Sequence, residues 1–291
     1  MFEHKTEEEA RKEILSMVEG YYEAFHKNKK EFKAGDRISY ASRVYDQNEM
    51  CNLVDSALEF WLTSGHYTDQ FERELAEYIG VKFCSLVNSG SSANLLAEQA
   101  FSEKTKAVMI AHTLGNPFDL KVVRSFCDKH NLWLVEDNCD ALGSEYCWEG
   151  TWKKTGSIGD IGTSSFYPPH HMTMGEGGAV YTDNPLLHKI IRSLRDWGRD
   201  CMCPSGKDNI CGHRFDKQYG ELPLGYDHKY VYSHFGYNLK ATDLQAAIGC
   251  AQLKKLPSFV EKRRYNFERL RDQLLDLTDQ YILPEPCADS K

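Results

Sequence analysis

The 291-residue sequence predicts an α/β protein built on one mostly parallel sheet. Short β-rich segments alternate with helix-patterned segments between residues 82 and 197, and this alternation favours parallel strands joined by helices. Polar and charged residues gather just after several of these strands. Ligands in such sheets bind at the carboxyl ends of the strands, so these residues are the candidate functional ones.

The elements are predicted from apolar periodicity and turn residues. The predicted helices span residues 7–28, 47–63, 68–79, 92–100, 119–130, 186–197, 244–253 and 259–274. The predicted strands span residues 82–87, 107–111, 132–135, 161–166 and 179–182, and AVMIA at 107–111 is expected to be buried. Pro257 is predicted to separate the last two helices, and residues 283–291 are expected to be a loop without structure of its own. The predicted domains are an N-terminal helical arm (1–35), a large domain (36–255) and the start of a small C-terminal domain (256–291).

Composition excludes several classes of function. The formal net charge is -8 and no basic patch stands out, so nucleic acid is not an expected partner. The sequence has no run of eighteen apolar residues and its first residues are charged, so neither a membrane span nor a secretory signal is expected, and we predict a cytoplasmic location. There the 10 cysteines are expected to be thiols or metal ligands rather than disulfides.

Two short segments follow strands and carry candidate ligand-binding residues. The run NSGSSAN at 88–94 opens a helix with Gly90, Ser91 and Ser92, whose small side chains, free N–H groups and hydroxyls suit a phosphate. A serine-rich helix cap without a ligand is the alternative. Asp137 closes the LWLV strand, where it can either cap the next turn or form an ion pair with a protonated pyridine nitrogen.

The run SFYPPHHMTMGEGG at 165–178 resembles the active-site segment of the DegT/DnrJ/EryC1/StrS sugar aminotransferases, which are fold-type-I pyridoxal phosphate proteins. Most members have a lysine where this sequence has His170. A branch of the family has His-His at this place, and the sequence resembles that branch, the CDP-4-dehydro-6-deoxyglucose 3-dehydratases of 3,6-dideoxy sugar biosynthesis. The resemblance covers about residues 61–268. Further matching motifs are NSGSSAN, AHTLGNPFDL, EDNCDALGS, RDWGRDCMC and LPLGYDHKYVYSHFGYNLKATDLQAAIG.

The resemblance implies a fold-type-I large domain and a set of site residues. Histidine cannot bind the cofactor covalently but can move protons near neutral pH, so the expected cofactor is noncovalently held pyridoxamine 5'-phosphate. His170 is expected to be the proton-transferring residue and His171 to be structural, while His112 is expected either to be structural or to support residues that contact the ligand. The remaining implied residues are Tyr167 and Asp140 near the sugar, Asp137 at the ring nitrogen, Gly90, Ser91, Ser92 and Ser165 at the phosphate, and Asn238 reaching the phosphate of a neighbouring subunit in a homodimer.

Four cysteines form the pattern C-x61-C-x-C-x7-C, namely Cys139, Cys201, Cys203 and Cys211. Four thiolates suit a 2Fe-2S cluster, with zinc as the generic alternative. The resemblance matches each cysteine to a ligand of the dehydratase cluster. It also implies a separate NAD(P)H-dependent iron–sulfur/flavin reductase, whose electrons pass through the cluster to release the deoxygenated sugar.

The sequence departs from the family pattern in two places. It is shortened near residues 100–106, where the family has further strands and an aromatic residue that covers the cofactor ring, and it ends where the family continues into a small domain. Three alternatives to an active dehydratase therefore stay open. These are a truncated inactive relative, an ordinary sugar aminotransferase, which His170 opposes, and a zinc-binding structural protein.

Overall fold

A computed structural model describes residues 2–27, 33–36, 44–90, 92–93, 107–204 and 206–291. Ser91, most of the predicted helix at 92–100 and the shortened segment near 100–106 lie outside the described residues. The described helices are α1 (Glu7–Phe25), α2 (Gln47–Glu59), α3 (His66–Ile79), α4 (Leu120–His130), α5 (Pro185–Arg195) and α6 (Asp243–Leu274). None of them is both long enough and apolar enough to cross a membrane.

Local signals determine where these helices begin and end. Thr6, Asp46 and Thr242 each form a capping box at the start of α1, α2 and α6, which satisfies N–H groups that have no partner within the helix. Helix α2 stops at Glu59 rather than continuing to residue 63, because Phe60 adopts a left-handed backbone with φ 50°.

Within the described residues, two sheets are formed by the strands β1 (Phe83–Val87), β2 (Ala107–Ala111), β3 (Trp133–Asp137), β4 (Glu145–Trp148), β5 (Thr151–Lys154), β6 (Ile161–Ser165) and β7 (Gly178–Thr182). The larger sheet has the order β1-β7-β6-β3-β2, and β4 and β5 form a hairpin. Strands β2, β3 and β6 pair in parallel, while β7 runs antiparallel to both of its neighbours. The predicted mostly parallel α/β sheet is confirmed.

Helices cover both faces of this sheet. One face carries a core in which Phe71 of α3 and Cys250 of α6 pack with Phe166 and Tyr181. The other face carries a core of Val87, Val135 and Val180 with the apolar side of α5. The strand side chains alternate between the two layers, as the two-residue period of a strand requires.

Three predictions about the elements were wrong. Helix α6 runs unbroken through Pro257, so the predicted domain boundary at 255/256 falls inside a helix. The N-terminal half of α6 packs against α2 and α3, and this burial outweighs the hydrogen bond that the proline removes. Strand β2 is an edge of the described sheet, with side chains alternately exposed rather than buried. The C-terminal tail pairs with the hairpin, because Glu145 and Lys291 exchange backbone hydrogen bonds of 2.8 and 2.9 Å.

Candidate active site at the carboxyl edge of the sheet

Strand register brings the predicted site residues to one edge of the sheet. Asp137, the last residue of β3, is paired with Ala111 of β2 and Thr163 of β6. Val87 of β1 and Ser165 of β6 are both paired with Gly178 of β7. The segments that follow β1, β3 and β6 therefore leave the sheet on the same side.

The loop after β1 forms the first turn of a helix against β6. Ser89 Oγ accepts a hydrogen bond from the N–H of Ser92 at 3.1 Å, and Ser89 O accepts one from the N–H of Ala93 at 3.1 Å. Gly90 lies so close to Ser165 that a Cβ at Gly90 would stand 2.5 Å from Ser165 Cβ and 2.8 Å from its Oγ. The glycine thus allows the start of the helix to pack directly against Ser165, so that helix N–H groups, which favour anions, lie near this strand end.

Asp137 is half-buried and its Oδ1 accepts a hydrogen bond from the N–H of Cys139 at 3.0 Å. The turn-capping role considered from the sequence is therefore present. This bond also fixes the carboxylate at the carboxyl end of β3, beside the segment that carries Asp140. Capping and pairing with a ring nitrogen are compatible, since a carboxylate has about four lone-pair sites.

Glu136, next to Asp137, was not singled out from the sequence. It is fully buried, and its carboxylate accepts hydrogen bonds from His112 Nε2 at 2.9 Å and from the N–H groups of Gly156 and Ile158 at 2.8 Å each, as well as from Gly159. His112 is fully buried and stacks on Phe118. This network agrees with the structural role expected for His112, and it holds the end of β3 rigidly.

His170 lies in the loop after β6, with its Nδ1 3.3 Å from Asp140 Oδ1. The Tyr167 ring meets the His170 ring edge-on, with centroids 5.8 Å apart, and Tyr167 is 45% exposed. The three residues predicted to surround the sugar are thus neighbours. A carboxylate at Nδ1 favours a proton on that nitrogen, which leaves Nε2 as the basic atom of the ring.

Helix α6 holds the His170 loop through three side chains that sequence reasoning missed. Gln245 Nε2 donates to Glu176 O at 2.7 Å, Gln252 Oε1 accepts from the Thr173 N–H at 3.3 Å, and Arg263 Nη2 donates to His170 O at 3.0 Å. These residues lie far from the loop in sequence, and only their spacing along one long helix signals a shared face.

The orientation of Gln252 is set by its other partners. Its Nε2 donates to Glu49 Oε1 at 2.7 Å and to Val44 O at 3.0 Å, so its Oε1 is the atom that faces Thr173. Gln252 is only 3% exposed. The amide therefore links the start of α2 to the His170 loop.

His171 is held neutral by its surroundings. Burial, with help from the positive charge of Arg263, lowers its pKa to about 4. Its Nδ1 is buried without a hydrogen-bond partner among the described residues. A buried neutral imidazole of this kind agrees with the structural role expected for His171.

The four predicted cluster cysteines do not meet. Cys201, Cys203 and Cys211 line one small cavity, and N–H groups of Ile210 and Cys211 lower the pKa of Cys203 against the opposing effect of burial. Burial and a hydrogen bond to Asp137 raise the pKa of Cys139, at the other end of the pattern. Across the described ranges no three His, Cys, Asp or Glu side chains are arranged to hold a metal ion.

Asn238 is an exposed residue. Its backbone bridges to Asp196 near the C-terminal end of α5. No contact joins it to Gly90, Ser92 or Ser165 in the part of the chain that the structure describes. An exposed amide is compatible with the predicted reach to a neighbouring subunit, and that role stays a prediction.

Comparisons with known proteins show which family and which relatives this chain is similar to. The model of the DegT/DnrJ/EryC1/StrS aminotransferase family matches residues 44–104 and 96–290. The lipopolysaccharide biosynthesis protein RfbH of Salmonella typhimurium is 44% identical over 338 aligned positions, which cover 96% of this chain and 76% of that protein. That alignment is longer than this chain, so part of the relative has no counterpart here.

Two further relatives carry names that state a reaction. The dTDP-4-dehydro-2,6-dideoxy-D-glucose 3-dehydratase of Saccharopolyspora spinosa is 40% identical over 328 positions, covering 92% of this chain and 70% of that protein. A solved structure of GDP-4-keto-6-deoxymannose-3-dehydratase with a trapped PLP-glutamate geminal diamine is 25% identical, with a TM-score of 0.70. It covers 82% of this chain and 74% of that one.

Proposed function

Because the chain belongs to the DegT/DnrJ/EryC1/StrS aminotransferase family, we propose that it uses pyridoxamine 5'-phosphate to remove the C3 hydroxyl of a nucleotide-linked 4-keto-6-deoxyhexose. The observation that carries the proposal is the pair formed by His170, in the loop after β6, and Asp140, in the loop after β3. No lysine occurs between Lys154 and Lys189, so this loop offers no amine for a covalent link to the cofactor.

The edge of the sheet fits such a cofactor. At the start of a helix, Gly90 stands so close to Ser165 that an added Cβ would clash, and helix N–H groups together with the hydroxyls of Ser92 and Ser165 suit a phosphate. Asp137 stands at the end of the neighbouring strand, where its carboxylate can keep a pyridine nitrogen protonated. When bound, pyridoxamine phosphate supplies an amine that condenses with the C4 ketone and a ring that accepts electrons. We extend the phosphate role to Ser91 by family resemblance.

In the proposed reaction His170 transfers protons. Its Nδ1 faces Asp140, so Nε2 takes the proton from the reacting carbon and the imidazolium that forms is stabilised by the Asp140 carboxylate. The same imidazolium can return the proton to the departing C3 hydroxyl. Tyr167 stands edge-on to the ring, limits its rotation and offers its own hydroxyl to the sugar.

The finer assignment is CDP-4-dehydro-6-deoxyglucose as substrate, in a homodimer whose Asn238 completes the partner's phosphate site. Named relatives act on dTDP- and GDP-linked sugars, so the nucleotide is the part of this assignment that needs direct testing. The electrons that release the product would come from a separate NAD(P)H-dependent iron–sulfur/flavin reductase.

The 2Fe-2S cluster belongs to the same proposal but rests on the cysteine pattern alone. The described residues gather three thiols and leave Cys139 beside Asp137, so they do not fit a four-thiolate cluster as they stand. No step above depends on the cluster. Anaerobic purification followed by iron and zinc analysis tests it, because a 2Fe-2S centre requires about two irons per chain.

The function is tested by mixing the full chain, pyridoxamine phosphate and CDP-4-dehydro-6-deoxyglucose, with a chemical reductant, and measuring the sugar products by mass spectrometry. We expect loss of one oxygen from the sugar with the unmodified chain and with His171→Asn, the matched control. His170→Asn is expected to retain the cofactor and to lose the reaction by about a hundred- to ten-thousandfold.

Two outcomes would replace this proposal. A 4-amino sugar formed with pyridoxal phosphate and an amino donor would identify an aminotransferase. A chain that folds but retains neither cofactor nor activity would identify an inactive relative; the edge position of β2 among the described strands is the structural feature that keeps this alternative open.

A further inference from the structure

Arg263 projects from α6 onto the backbone of the candidate catalytic histidine. Its Nη2 donates a hydrogen bond to His170 O at 3.0 Å. Among the described residues it is the cationic side chain that hydrogen-bonds to the segment from Phe166 to Gly178. Its positive charge reaches into the site, since it contributes to the low pKa of His171.

This guanidinium has no carboxylate partner in the described part of the chain. Other arginines of the described chain form ion pairs with carboxylates, for example Arg195 with Glu72 and Arg214 with Asp227. Arg263 makes one hydrogen bond to a neutral carbonyl, and although the residue as a whole is exposed, partial burial lowers the pKa of its guanidinium. A guanidinium has five N–H donors, so most of its capacity is available to a ligand.

In the described part of the chain, two carboxylates and a neutral imidazole lie near His170. Asp140 lies 3.3 Å from His170 Nδ1 and Asp137 stands at the end of the adjacent strand. His171 stays neutral above pH of about 4. A negatively charged ligand that enters this site needs a cation to offset these carboxylates, and an unpaired arginine provides it.

We propose that Arg263 binds the diphosphate of the nucleotide-linked sugar. This inference rests on the proposed function. The diphosphate is attached to C1 of the hexose, two carbons from the reacting C3. When C3 lies at His170, the diphosphate is therefore no farther from the His170 loop than about the width of one sugar ring. A guanidinium matches two phosphate oxygens at once, which orients the sugar as well as adding affinity.

Arg264 provides a matched control on the next position of the same helix. It has the same charge, but its Nη2 points to Gly143 O at 3.4 Å, on the side of a groove that also contains Tyr78 and Lys154. A general effect of surface charge on nucleotide binding would appear equally in variants of both arginines. If Arg263 forms a diphosphate site, diphosphate binding will weaken only in variants of Arg263.

The test is calorimetric titration of the full chain, loaded with pyridoxamine phosphate, with CDP, dTDP and GDP. We expect Arg263→Met to weaken binding of the preferred diphosphate by about ten- to a hundredfold, Arg263→Lys to weaken it less, and Arg264→Met to change it by less than about twofold. Affinity for the corresponding uncharged nucleoside and for the cofactor should not change. The salt dependence of diphosphate binding should fall in Arg263→Met.

The proposal is overturned if the two methionine variants behave alike, if nucleoside affinity falls together with diphosphate affinity, or if the unmodified chain binds none of the three diphosphates. Arg263→Lys keeps the charge and covers the case in which the methionine variant does not fold. Failure of the proposed function is a separate result, since it appears as missing cofactor retention or missing turnover.

Discussion

Replacing Gly90 with alanine tests whether the close contact between the β1 loop and β6 forms part of the phosphate site. The new Cβ would stand 2.5 Å from Ser165 Cβ, whereas carbon atoms pack at about 3.5–4.0 Å. Ser165 is only 8% exposed and is held by its pairing with Gly178, so it cannot retreat. The loop that contains Gly90 must therefore move by about 1 Å.

The expected magnitude follows from this displacement. Overpacking of this kind costs about 1–3 kcal/mol of unfolding free energy. A shift of about 1 Å also breaks one or two hydrogen bonds to an anion, each worth about 1.5–3 kcal/mol, so cofactor affinity should fall by about ten- to a hundredfold or more. Gly90 lies at a helical position, so the effect comes from the contact and not from backbone strain.

The assay is a titration of pyridoxamine phosphate followed by absorption, with urea unfolding of the same proteins. Ser165→Gly removes the opposing Cβ, so the double variant should recover unfolding free energy relative to Gly90→Ala, as a double-mutant cycle measures. Gly20→Ala, where nothing lies within 4 Å, is the control and should stabilise α1 by about 0.5–1 kcal/mol. Unchanged cofactor affinity in Gly90→Ala would refute the assignment of the phosphate to this part of the site.

Three further predictions concern the histidines and the buried carboxylate. His170→Lys supplies the missing amine, so borohydride reduction with pyridoxal phosphate should add the mass of one cofactor to the protein. Removal of the C3 hydroxyl should be lost in this variant. If the variant takes up no cofactor mass, the position assigned to His170 is wrong. The pKa of His171 is about 4 in the folded chain and 6.5 for the free side chain. As pH falls, the unfolded chain therefore takes up the proton first, and the free energy of unfolding decreases between about pH 6.5 and about pH 4, by at most about 3 kcal/mol. Urea midpoints at about pH 7.5 and about pH 5 measure this slope, which should be shallower in His171→Asn; an equal slope in that variant would assign the pH dependence to other groups. Glu136→Gln should lower the free energy of unfolding by about 3 kcal/mol, because an amide nitrogen cannot accept a hydrogen bond and at least one backbone N–H loses its acceptor. Glu23→Gln on the surface of α1 is the control and should change the free energy of unfolding very little.

Much of the fold was predictable because its signals are local. The strands at 107–111 and 161–165 and the helix at 120–130 follow from apolar periods and turn residues that neighbouring positions supply. The β4–β5 hairpin was missed, since its four-residue strands carry mixed polar side chains and no period stands out. The unbroken α6 was missed for a different reason, because packing against α2 and α3 offsets what Pro257 removes.

The candidate site shows the same division. Sequence alone predicted which residues carry the proposed chemistry, since His170, Asp137 and the Gly90 loop occur in motifs a few residues long that follow strands. Tertiary structure alone decided which of them meet. It placed Asp140 beside His170 and left Cys139 away from the other three cysteines. It also brought Gln252 and Arg263 onto the His170 loop from about eighty and ninety residues away in the sequence. Motifs encode residue type and local backbone shape, whereas contacts between distant segments depend on strand register and helix packing, which no local pattern contains.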